Sequence, residues 1–172
     1  MDTSAFVTLA LACAPAVHPD TARALVDVES AFNPWAIGVV GGALDHQPRS
    51  RAEALATAHS LRGSGWDFSV GLGQINVRNL RRLGLSLEAA FEPCANLAAM
   101  QALLIECFDR APASRVGASQ WQLRQALSCY YSGDFSTGFR HGYVLKVVQA
   151  AKGTKHSPST RTPKEKTRTA PN

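Results

Sequence analysis

Apolar residues recur along most of this 172-residue chain at spacings of three and four, the period of a helix. Between 21 and 32, Ala22, Leu25, Val26, Glu29 and Phe32 fall on one helical face, while Arg23, Asp27 and Ser30 point away from it. Asp20 can cap this helix, and Asn33-Pro34 stops it. A long helix is predicted over 93–110, with Pro93 first and Leu97, Met100, Leu104 and Phe108 as its stripe. Ser50 can cap a helix over 51–62, ended by Gly63-Ser64-Gly65. Asn76 can cap a short one ending at Gly84, Ser119 one through Tyr131, and a last helix spans 137–151. Residues 5–17 read as the first helix. Two Gly-rich stretches, 38–42 and 69–74, interrupt the pattern. No segment alternates with period two and no repeat is visible, so the expected fold class is mainly α.

Glu29 is the anomaly in this pattern, a carboxyl near the middle of an apolar stripe. Desolvation there disfavours the charged form and raises the pKa. A Glu kept protonated near neutral pH can donate a proton to a leaving group. Periodicity leaves one alternative open, a buried Glu paired with an Arg.

Charge changes the picture only at the C-terminus. Six Lys or Arg and one Glu lie in 152–172, so this tail carries the whole net charge of +5; the remaining 151 residues hold twelve basic and twelve acidic residues. A nucleic-acid partner, which asks for a basic folded face, is not expected. The tail has no large apolar residue and reads as disordered, which leaves a domain over 1–151. No apolar run reaches the roughly 18 to 20 residues of a spanning helix, so no transmembrane segment is predicted. The apolar stretch 5–17 lacks a positive region before it and reads as part of the fold rather than as a signal peptide.

Three blocks carry a resemblance. Glu29-Ser30-Ala31-Phe32-Asn33-Pro34 resembles the E-S-x-[FW]-N-P signature of the soluble-type lytic transglycosylases. Gly71-Leu72-Gly73-Gln74-Ile75-Asn76 resembles their second motif, and Leu127 to Gly133 their third. Cys13-Ala14-Pro15, Phe91 to Leu97 and Gly142-Tyr143-Val144 are similar to the VirB-type members, which serve conjugation and type IV secretion. The chain departs from the family at Tyr131, where Asn is usual, and at Val70, where Ser is frequent. The resemblance implies a lysozyme-like helical domain with at most a small hairpin by the cleft. It implies Glu29 as catalytic acid, with Ser30, Gly71, Leu72, Gly73, Gln74, Asn76, Tyr130 and Tyr131 toward the sugar. Within that set, Gly71 and Gly73 would let the backbone approach the substrate. Tyr130 would set its hydroxyl against Glu29, and Tyr131 would stack on a sugar ring.

The implied reaction uses one carboxyl. Glu29 protonates the glycosidic oxygen, the 2-acetamido group steadies the cationic carbon, and Glu29 then takes the C6 hydroxyl proton as a 1,6-anhydro ring closes. No metal or cofactor is called for. The partners implied are peptidoglycan strands and other components of a secretion channel, met by a monomer exported to the periplasm by a route left open. A hydrolase on the same fold and a non-catalytic glycan-binding scaffold are the competing readings. Ordinary retaining or inverting hydrolysis uses two carboxylates flanking the bond. Asp45, Glu53, Asp67 and Asp134 belong to no shared motif and read as caps or surface charges. Four cysteines, Cys13, Cys94, Cys107 and Cys129, form no metal pattern and suit two disulfides. Three connectivities remain open; helix adjacency favours Cys13 with Cys94 and Cys107 with Cys129.

Overall fold

The computed structural model describes residues 3–112 and 118–153. The expected disordered tail lies outside the described residues apart from Lys152 and Gly153, which close the last helix. In chain order the elements are α1 (Thr3–Cys13), α2 (Pro19–Ser30), β1 (Ile37–Val39), α3 (Arg51–Gly63), β2 (Phe68–Val70), β3 (Ile75–Asn76), α4 (Val77–Leu80), α5 (Pro93–Arg110), α6 (Ala118–Ser132), α7 (Thr137–Arg140) and α8 (Tyr143–Gly153). A 3-10 turn, Ala89–Phe91, precedes α5. The architecture is mainly α, as the lysozyme-like expectation has it.

Helix α5 is the axis of the core. Its stripe of Leu97, Met100 and Leu104 is almost wholly buried, and it packs on α1 and α6. Each such side chain contributes about 1.5–3 kcal/mol through burial. Helix α2 is held between α1 and α8, so it buries more than one face, from Ala22 to Val26. Arg23, expected to point away, is among these. Its Nη2 donates to the Ala150 carbonyl of α8 at 2.6 Å. Disulfides join Cys13 at the end of α1 to Cys94 in the first turn of α5, and Cys107 of α5 to Cys129 of α6.

Several predicted boundaries move. Helix α2 starts at Pro19, and His18 rather than Asp20 is its N-cap, accepting from the Asp20 N–H. It stops at Ser30 because Ala31 and Phe32 both adopt left-handed backbone; that turn sends the Phe32 ring edge-on against Phe6. The last predicted helix is two, split where Gly142 takes φ +73°. The sheet exceeds a single hairpin. Its order is β1-β2-β3, antiparallel throughout, with α3 between the first two strands. The register sets Gly38 opposite Ser69 and Ser69 opposite Asn76, one continuous row across the sheet.

Candidate active site

A cleft of about 440 Å³ opens between this sheet and α6. The row Gly38, Ser69 and Asn76 lines one side, with Val39 and Val40 at its end. Tyr130 and Tyr131 of α6 line the other, with Asn79 and Leu103 between. Glu29 enters from the last turn of α2 and is the one carboxyl among the residues lining this cleft.

Burial pushes the Glu29 carboxyl up to about 7, against a weaker opposing pull from a hydrogen bond. That bond comes from the Tyr143 hydroxyl, which donates to Glu29 Oε1. No Arg pairs with Glu29 among the described residues, so the buried ion pair left open by the sequence is not what the fold builds. Tyr143, the first residue of α8, is itself buried and stacks against Tyr131 with ring centroids 4.5 Å apart. Burial and the neighbouring Glu29 push the Tyr143 hydroxyl far above the usual tyrosine value, so it stays a donor. Tyr130 is pushed up for the same two reasons. Its hydroxyl, however, donates to the Gly73 carbonyl and not to Glu29.

The loop facing Glu29 is held by one buried side chain, Asn96 in the first turn of α5. Its Oδ1 accepts from the Gly73 N–H at 2.7 Å, and its Nδ2 donates to the carbonyls of Val70 at 3.0 Å and Ala90 at 2.7 Å. Both of its N–H donors and its carbonyl oxygen thus serve backbone groups that would otherwise be buried and unpaired. Gln74 sits above, in left-handed backbone at φ 48°. Its Nε2 donates to the carbonyls of Ala36 and Gly71 at 3.1 and 3.0 Å. A side chain at Gly38 would begin 2.6 Å from Gln74 Oε1, so Gly38 leaves room for that carboxamide.

The transglycosylase SLT domain model matches residues 7–146, most of the chain. The chain belongs to the transglycosylase SLT family. Among its relatives is the type IV secretion system protein virB1 of Brucella abortus, 48% identical over 151 residues, covering 85% of this chain and 63% of that one. Protein virB1 of Agrobacterium fabrum is 39% identical over 153 residues, covering 85% and 59%. That of Rhizobium radiobacter is 36% identical over 158, covering 88% and 62%. The chain therefore spans about three-fifths of the length of these relatives. No solved structure matches it.

Within this SLT domain the motif residues divide by position. Glu29, Gln74, Asn76, Tyr130 and Tyr131 meet at the cleft. Ser30, Gly71, Leu72 and Gly73 do not line it. Leu72 is fully buried in the core, and Ser30 returns its hydroxyl to the Val26 carbonyl at 3.2 Å. Gly71 and Gly73 approach protein rather than an opening. A side chain at Gly71 would meet Asn96 Nδ2 at 2.2 Å, and one at Gly73 would meet Met100 Cβ at 2.9 Å. Asn76 lines the cleft, but its amide is committed: Nδ2 donates to Asp67 Oδ1 at 2.8 Å, and Oδ1 accepts the Arg78 N–H at 2.9 Å.

Tyr143 and Asn96 are the site residues the sequence reading missed. Both stand in segments that carry the family resemblance, Tyr143 behind a glycine at a helix start and Asn96 in the first turn of an apolar helix. A buried amide at that place is a usable signal, because it must find partners.

Proposed function

We propose that this domain is a lytic transglycosylase of the bacterial wall, with Glu29 as its single acid and base. The observation that carries this is a cleft whose only carboxyl among the described residues is partly buried, raised to about 7 and held by a tyrosine hydroxyl. Hydrolysis by paired carboxylates asks for two of them roughly 5 to 9.5 Å apart across the bond. None of the four other acids lines the cleft, and three of them have other work. Glu53 accepts from Arg49 N and pairs with His46, Asp67 binds Asn76 and Arg78, and Asp134 accepts from Ser136 and Thr137 at the start of α7.

With one carboxyl, the same group has to serve twice. Protonated Glu29 gives its proton to the glycosidic oxygen as that bond breaks. The substrate's own acetamido group supports the positive charge at the sugar carbon. Glu29, now a carboxylate, takes the C6 hydroxyl proton, and that oxygen closes a 1,6-anhydro ring. Proton and bond counts balance without water. The Tyr143 hydroxyl orients Oε1 through both halves and relieves part of the charge when the proton has left. Gln74 Oε1 accepts no hydrogen bond among the described residues and would receive a substrate N–H or O–H from the opposite side.

A role in opening the wall locally for a secretion apparatus follows the Brucella abortus relative, which is named for type IV secretion. Two disulfides fit the oxidising periplasm where such a wall lies. Mass spectrometry of digested sacculi tests the reaction. Muropeptides one water lighter than the reducing-end form are expected; reducing ends alone would assign hydrolysis instead. Glu29→Gln should lower the rate by about 10²–10⁴-fold, and wild-type cleavage by that variant would remove Glu29 from the chemistry.

A further inference from the structure

The cleft continues past Tyr130. A smaller hollow of about 160 Å³ adjoins it and shares Asn79, Leu103 and Tyr130 with it. Its chemistry differs. The main cleft has no basic residue in its lining, whereas the hollow is lined by Arg82, Arg110 and Glu106. Both guanidinium groups converge on that one acid: Arg82 Nη1 lies 2.6 Å from Glu106 Oε2, and Arg110 Nη1 lies 3.4 Å from Oε1. One carboxylate cannot neutralise two guanidinium groups, so the hollow keeps a net positive charge. Arg82 is also held at the junction itself, because its Nε donates to Asn79 Oδ1 at 3.0 Å. Each guanidinium retains an Nη2 with no acceptor among the described residues. Cys107 and Cys129, bonded to each other, also line it and tie α5 to α6 there.

A glycan strand lying in the main cleft would bring its neighbouring residue to this hollow. In the wall, alternate sugars carry short peptides that hold free carboxylates. A guanidinium fork matches a carboxylate in shape and charge. We propose that the Arg82–Arg110 hollow is a subsite for the stem-peptide carboxylates of the strand being cut, so that peptide-bearing strands are preferred over bare glycan. This rests on the wall-glycan reading above. The ligand arrives covalently attached to the strand, which separates it from free phosphate or a lipid headgroup.

Binding measured on the Glu29→Gln protein tests the subsite without turnover. The probes are peptide-bearing strands, the same strands stripped by an amidase, and strands whose peptide carboxylates have been amidated. The expected preference for the first over both others is about tenfold, weakening with added salt. Adding Arg82→Gln and Arg110→Gln should abolish it. Adding Glu106→Gln instead, which releases both guanidinium groups, should widen it. All three residues are at the surface, so the substitutions leave the core intact. Equal binding of the three probes, or a preference that survives loss of both arginines, overturns the proposal. A preference found in a protein whose parent makes no anhydro products would sustain the subsite and remove the transglycosylase reading.

Discussion

The packing that holds α2 between α1 and α8 leaves Glu29 only partly exposed, at the cleft, and two consequences follow for this residue. The first concerns rate. In the proposed reaction Glu29 starts protonated, so kcat/KM should fall as pH rises through about 7. The Tyr143 hydrogen bond lowers the Glu29 value, so Tyr143→Phe should move that falling limb to higher pH and cost about tenfold in kcat/KM. A pH profile checks both together; a drop in rate with an unmoved limb would reduce Tyr143 to packing. The second concerns stability. The folded carboxyl, at about 7, binds a proton that the unfolded one, near 4.5, has already lost. Stability is therefore highest below pH 4.5 as far as this group is concerned, and it falls through the window from 4.5 to 7. Above that window the cost is about 3 kcal/mol. Glu29→Gln removes the titration and keeps an acceptor for Tyr143. Its melting temperature should exceed that of the wild type at pH 8 and converge with it near pH 4.5.

Among the elements, the helices were legible and the sheet was not. A helix of eleven to eighteen residues, such as α1 or α5, repeats its apolar spacing enough times to be read. Strands of two or three residues cannot display a period of two, yet they set Gly38, Ser69 and Asn76 in the row that lines the cleft. The turn at 71–74 shows the same limit from the other side. Its glycines were visible, but a glycine does not say what approaches it. Gly71 has φ +78° and no room for a Cβ beside Asn96. Gly71→Ala should cost about 2–4 kcal/mol through backbone strain and displacement of Asn96, measured by chemical denaturation. A loss under about 0.5 kcal/mol would mean that the loop yields easily.

Across the whole molecule, the two disulfides divide the work of restraint. The Cys13–Cys94 bond spans 81 residues and the Cys107–Cys129 bond 22. Chain entropy assigns the longer loop about 4–5 kcal/mol and the shorter about 3. Paired replacement by Ala should thus lower the melting temperature more at Cys13 and Cys94. The Cys107–Cys129 pair should matter more for the hollow beside the cleft, since it lines it.

The helical class, the family and the carboxyl at the centre of an apolar face are legible along the chain, because each is written in local spacing or in contiguous motifs. Which tyrosine holds that carboxyl depends on how distant segments pack together. Tyr130 stands within the third motif and was the expected partner, but α6 aims its hydroxyl at Gly73. Tyr143 is 114 residues from Glu29 and reaches it because α8 packs on α2. The division of the motif glycines from the cleft, the Asn96 hub and the Arg82–Arg110 hollow share that origin. Each joins groups from separate elements, and no periodicity along one chain can carry the distance between two of them.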